Sequence, residues 1–192
     1  MNIIAVIPAR AGSKRLKNKN VKMLGVKPLV AWTIDVAKKV KEIKDIIVTT
    51  DIKSVLKMAK RKGIISISRP KKLASGNASL VDVCIHSIKF YEEKFKKIDG
   101  LLLLQPTSPF REAKTISKGI NLFKRHRKTS IISVSNATKH PYWYYTIEKK
   151  KFKKFFKKPI FTVQTQKLPW AYTVNGYFYL VCPNELKKNR SF

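Results

Sequence analysis

Five cations crowd one short stretch of this chain. Arg10, Lys14, Arg15, Lys17 and Lys19 fall within ten residues, around the small pair Gly12-Ser13. Small residues let backbone amides approach a ligand closely and clustered cations neutralise it, so the stretch reads as a cradle for a polyphosphate. It is neither a GxxxxGK[ST] loop nor a GxGxxG turn, which excludes those two solutions. Two more polar segments share its character. One runs Arg-Pro-Lys-Lys-Leu-Ala-Ser-Gly-Asn-Ala-Ser from Arg69 to Ser79, the other Gln-Pro-Thr-Ser-Pro-Phe-Arg from Gln105 to Arg111.

Each segment follows an apolar run that predicts a strand. Ile3 to Ile7 is rich in β-branched residues, as a strand buried on both faces requires, and Pro8, which cannot donate to a ladder, is expected to end it. Ile46 to Thr50, Ile64 to Ile67, Leu101 to Leu104, Ile131 to Val134 and Tyr177 to Val181 are further strand candidates. Helices alternate with them. Lys27-Pro28 is expected to open the first, with Leu29, Trp32, Val36 and Val40 on its buried face. Asp51 is expected to cap a second, ending at Gly63. The longest begins near Ser79, with Leu80, Val81, Cys84, Ile88, Tyr91 and Phe95 as its apolar stripe; Cys84 is then core, and His86, off the stripe, is expected to be solvated. Another helix runs from Glu112 to His126. Alternating strands and helices predict an α/β fold, a doubly wound and mostly parallel sheet. Ligands of such sheets sit at the carboxyl ends of the strands, where all three polar segments begin, so these converge on one crevice suited to a phosphorylated, polar ligand.

Composition bounds the rest. The chain has 192 residues, 44% of them apolar, enough for one domain with a real core. No apolar run is long enough to span a membrane, and no signal-peptide pattern opens the sequence. Cys84 and Cys182 have no metal or disulfide spacing, which fits a reducing cytoplasm. Forty-two Lys and Arg against eleven Asp and Glu leave a net charge of +31. Lysine is scattered through nearly every segment rather than gathered on one, the pattern of solvated faces more than of a nucleic-acid or membrane site. From about Asn136 the pattern changes: Pro141-Tyr142-Trp143-Tyr144-Tyr145 is aromatic, and lysines interleave with Phe152, Phe155 and Phe156. Charge with stacking could hold single-stranded nucleic acid; an exposed arm packing on a partner subunit is the alternative.

Pro8-Ala9-Arg10-Ala11-Gly12-Ser13-Lys14, closed by Lys19-Asn20, resembles the opening signature of the CMP-sialic acid synthetases, the acylneuraminate cytidylyltransferases. Arg69 to Ser75 is similar to that family's second motif and Leu103 to Arg111 to its third, while Gln166-Lys167-Leu168-Pro169 with Asn175-Gly176 and Tyr179 resembles the fourth. The motifs keep their order over nearly the whole chain. The resemblance implies a nucleotide-diphospho-sugar transferase-like fold of Rossmann type. It implies a CTP-dependent nucleotidyltransferase that activates a nonulosonic acid for surface glycans, with magnesium, as a cytoplasmic homodimer whose arm is residues 136–172. In that reading Arg10, Lys14 and Lys19 neutralise the phosphates. Ala9, Gly12, Ser13, Asn20, Arg69 and Ser79 hold the nucleotide, and Gln105, Thr107, Ser108, Arg111, Asn175 and Gly176 hold the sugar.

The chain also departs from the pattern. Thr165 and Thr173 stand where many members carry arginine, and nearby Lys167 lacks the bidentate fork suited to a carboxylate. Gly76-Asn77 stands where an acidic residue is frequent. Magnesium in the family is held by an Asp-x-Asp pair beyond the position matching Phe192, and the eleven carboxylates here include no such pair. The expectation is therefore a chain shortened at its C-terminus, with no metal ligands of its own. Alternatives are a 3-deoxy-manno-octulosonate cytidylyltransferase, a non-catalytic nucleotide or polyanion binder, and a nucleic-acid binder.

Overall fold

The structure, a computed structural model, describes residues 1–13, 16–126, 129–156 and 164–192. The chain forms two compact units, residues 1–133 with 176–192, and residues 134–175.

The first strand, β1 (Ile3–Ala9), explains the larger unit. Ile3, Ile4, Ala5, Val6, Ile7 and Ala9 are all fully buried. Successive strand side chains point to opposite faces, and β1 divides accordingly. Ile3, Ala5, Ile7 and Ala9 join one apolar cluster, whereas Ile4 and Val6 join the other. A short ribbon follows, β2 (Met23–Leu24) and β3 (Lys27–Pro28), turning at Gly25 with φ +61°. Next come α1 (Leu29–Lys38), β4 (Asp45–Thr50), α2 (Lys53–Arg61), β5 (Ile65–Ser68) and the short α3 (Lys71–Ala74). Then α4 (Leu80–Lys94), β6 (Gly100–Leu103), α5 (Ala113–Arg125) and β7 (Ile131–Asn136) complete the first pass. The chain returns through β10 (Tyr172–Val181) and α6 (Pro183–Asn189).

The sheet order is β5-β4-β1-β6-β10-β7. β5, β4, β1 and β6 are parallel, and β10 runs antiparallel to β6. One face is covered by apolar residues of α1, α2 and α5, the other by those of α4 and α6. Among the described residues no helix is long and apolar enough to cross a membrane. The α/β, mostly parallel architecture is as the sequence predicts.

Local readings differ in four places. Pro8 does not end β1: the strand continues to Ala9, with Pro8 opposite Thr49. The β1–β6 ladder stops at Val6 opposite Leu103, so that edge of β1 is already open where the proline lacks its donor. Lys27-Pro28 pairs in a ribbon instead of opening a helix, and α1 starts at Leu29. Asp51 does not cap α2, whose first turn has no side-chain cap; Thr50 Oγ1 accepts from the Ile52 amide, and the Asp51 carboxylate turns elsewhere. His86 is half-buried, and its Nδ1 has no partner among the described residues. Ser79 does begin α4, its hydroxyl accepting from Val81 N at 3.2 Å, and Cys84 is fully buried.

Ion pairs tie the outer elements down. Asp35 of α1 accepts from Lys27 and from Lys62, the latter at 2.7 Å. Burial alone would raise its pKa, but the two ammonium groups hold the carboxyl below its ordinary value.

The smaller unit contains a hairpin, β8 (Tyr145–Glu148) and β9 (Lys151–Lys154), in which Ile147 faces Phe152. Lys149 and Lys150 turn it with φ 48° and 64°. The Ala137 amide donates to Ala171 O at 2.9 Å, closing the neck of this unit. Large apolar side chains are left in water here: Phe152 is 77% exposed, Trp170 81% and Ile147 70%.

Candidate functional site

The open edge of β1 creates a crevice. Strand order reverses there, with β4 leading one way and β6 the other, the position where doubly wound sheets bind ligands. Leu104 N still reaches Val6 O at 3.0 Å; beyond it the loops after β1 and β6 part. The cavity between them measures about 410 Å³. The loop after β1 contributes Arg10, Ser13, Leu16, Lys19 and Asn20; the stretch after β5 contributes Arg69, Leu73 and Ser75; the loop after β6 contributes Gln105, Pro106 and Thr107. All three polar segments therefore meet here.

Two side chains at the end of β4 and one from the loop's own far end hold its first residues. Thr50 Oγ1 donates to Ala9 O at 2.5 Å, Asn20 Nδ2 to Arg10 O at 2.8 Å, and Asp51 Oδ1 accepts from Ala11 N at 2.8 Å. The Ser13 amide then turns back to Ala11 O at 2.7 Å. Two buried atoms of lining residues, Ser13 Oγ and Asn20 Oδ1, have no hydrogen-bond partner among the described residues. Buried polar atoms are rarely left unpaired, so such orphans at a cavity wall call for a polar ligand.

Arg69 is buried, with its guanidinium donating to Thr49 O at 2.8 Å. Burial pulls its pKa down, Asp51 pushes it back up, and Arg10 adds to the lowering. Two arginines and one carboxylate are thus in electrostatic contact at the crevice. Burial also pushes the neighbouring Cys84 thiol up to about 12, which makes it inert core, not a nucleophile.

Of the residues singled out from the sequence, Arg10, Ser13, Lys19, Asn20, Arg69, Gln105 and Thr107 line the cavity. Lys14 lies outside the described residues. Ala9 is buried in the core, and its contribution is its backbone. Gly12 is exposed on the loop, and Ser79 is an exposed helix cap. Four expected sugar contacts are not among the lining residues. Ser108 donates to Gly176 O at 3.3 Å, and Asn175 Nδ2 donates to Ser135 Oγ at 2.8 Å in the smaller unit. Arg111 is the one engaged most fully by the protein itself. It is buried, and its guanidinium donates to Gln105 O, Ser108 O, Tyr177 O and, at 3.2 Å, Thr33 Oγ1. Burial lowers it to about 10, leaving it charged at neutral pH. Its fork is spent on the protein.

The sequence reading missed an apolar wall: Leu16, Leu73, Leu80 and Val83 line the same cavity. Leu80 and Val83 lie three apart on α4, so they share a helix face; that spacing was the available signal. Magnesium finds no ligand set here. No carboxylate lines the cavity, and the described residues hold no group of three or more His, Cys, Asp or Glu. These residues do not fit the metal, and no step is assigned to it.

The family described as Cytidylyltransferase matches residues 4–170. A relative from Legionella pneumophila, CMP-N,N'-diacetyllegionaminic acid synthase, is 34% identical over 100% of this chain and 83% of its own. N-acylneuraminate cytidylyltransferase of Escherichia coli is 38% identical over 71% of this chain, which matches 32% of that longer protein. In fold, the chain resembles a solved CMP:2-keto-3-deoxy-manno-octonic acid synthetase complexed with CTP, with a TM-score of 0.73 and 17% identity over 99% of this chain and 78% of that one.

Proposed function

The chain belongs to the cytidylyltransferase family, and on that premise we propose that it couples CTP to a nonulosonic acid. The carrying observation is the crevice itself, where Arg10, Lys19 and Arg69 meet two unpaired buried polar atoms beside an apolar wall. Cations suit a triphosphate, and the wall of Leu16, Leu73, Leu80 and Val83 suits the face of a base. The relatives are named for legionaminic and neuraminic acids, both nonulosonic, which supports that acceptor class.

In the reaction, the anomeric hydroxyl oxygen of the 2-keto acid sugar bonds to the α-phosphorus of CTP. The bond from that phosphorus to the bridging oxygen breaks, its electron pair leaves with pyrophosphate, and the hydroxyl proton is lost to solvent. Such transfer depends on placing the reactants in line and on countering charge as it grows on the leaving group. Arg10 and Lys19, with Lys14, take the second task. Arg69, fixed by Thr49, adds the second motif's counter-charge to the same cavity, and Gln105 and Thr107 meet the sugar. The magnesium that the family resemblance implies is assigned no residue and no step.

A homodimer in the cytoplasm, serving surface-glycan synthesis, completes the proposal. The exposed Ile147, Phe152 and Trp170 of the smaller unit support the subunit contact. The test is product formation. Incubated with CTP and a 2-keto nonulosonic acid, the chain is expected to yield a CMP-sugar detectable by mass spectrometry; absence of product with sialic, legionaminic and pseudaminic acids alike would overturn the reading.

A further inference from the structure

The first residues of the cationic loop owe their path to β4. Ala9 O is held by Thr50, Ala11 N by Asp51, and Arg10 O by Asn20. Thr50 and Asp51 are adjacent, so the end of a single strand pins the loop on both sides of Arg10. The Thr50 hydroxyl also accepts from the Ile52 amide, which fixes its own orientation. Asp51 carries the one side chain of this set with a charge, and its carboxylate acts electrostatically on the Arg69 guanidinium. Arg10 and Arg69 repel each other, and the Asp51 carboxylate acts on Arg69 in the opposite sense while its oxygen holds the loop. Asp51 neither lines the cavity nor caps a helix, so the fold alone leaves its placement unexplained.

We propose that Asp51 is a positioning residue: by accepting the Ala11 amide it sets the loop so that Arg10 and Arg69 converge on one phosphate chain. The assignment rests on the nucleotide reading above. It acts through the loop and touches no substrate. A charge-assisted bond to a backbone amide fixes geometry well, and its loss at an exposed site leaves the amide to water without harming the core.

The experiment uses the full chain with Asp51→Ala and Asp51→Asn. CTP affinity is read by calorimetry and the Ala11 amide by hydrogen exchange, with thermal unfolding as a control. In D51A the affinity is expected to fall about five- to tenfold, the Ala11 amide to exchange faster by a similar factor, and the unfolding temperature to hold. In turnover the loss falls on KM for CTP and spares kcat. In D51N, whose amide oxygen can still accept, most of the lost affinity is expected to return. Unchanged affinity and exchange in D51A would overturn the proposal, as would D51N failing as fully as D51A, which would make the role one of charge alone. If the unaltered chain binds no CTP, the cytidylyl reading fails separately. Tripolyphosphate binding and Ala11 exchange in D51A then judge the clamp by the same criteria.

Discussion

Arg111 illustrates how one side chain can hold a site it does not face. Its guanidinium joins the turn from Gln105 to Ser108 with β10 through Tyr177 O and with α1 through Thr33. Arg111→Ala would leave three carbonyl oxygens without their donor, and each buried orphan costs of order 1–3 kcal/mol. A loss of about 3 kcal/mol or more is expected in denaturant unfolding. Arg111→Lys should recover only part of it, because an ammonium cannot reproduce the planar fork. Equal stability of R111A and the unaltered chain would contradict the assignment. The type and place of Arg111 suggested a sugar contact, and nothing in the sequence pointed to these contacts within the protein. Its acceptor on β10 lies 66 residues away, beyond any local pattern. Asp51 escaped for the same reason, since its place before a helix mimics a cap while its partner is 40 residues distant.

Elements were easier to read than their ends. β1 and β6 are near-continuous apolar runs because both faces of the sheet are covered, and the abrupt change to polar loops marks the crevice directly. The β3 side of the ribbon was not legible: two residues carry no periodicity, and Pro28 suits a helix start equally well. That ribbon is fastened to α1 and to the end of α2 by Asp35 with Lys27 and Lys62. Because the folded pKa of Asp35 lies below its unfolded value, the pairs contribute stability above the ordinary carboxylate range, and this contribution is lost as pH falls through the folded value. Unfolding temperature should therefore drop, as pH falls through and below the ordinary carboxylate range, more steeply in the unaltered chain than in Asp35→Asn. Parallel curves would remove Asp35 from the account of how α1 is held.

The whole molecule combines a covered parallel sheet with a smaller unit that leaves apolar side chains in water. Phe152 and Ile147 form one cross-strand pair of the hairpin, and exposure of this extent is uncommon without a partner. Sedimentation velocity is expected to give twice the mass of one chain, and Phe152→Asp to shift the species toward one chain; a monomer in both cases would contradict the subunit contact. The net charge of +31 is spread over lysines rather than focused, so it supplies solubility and long-range attraction for anions without choosing among them. Choice must come from the crevice. The most direct test is pyrophosphate release by this chain with CTP, ATP, GTP and UTP, each with and without a nonulosonic acid. Release that requires the sugar and occurs with CTP alone is the predicted result. Release indifferent to the base, or independent of the sugar, would contradict the account.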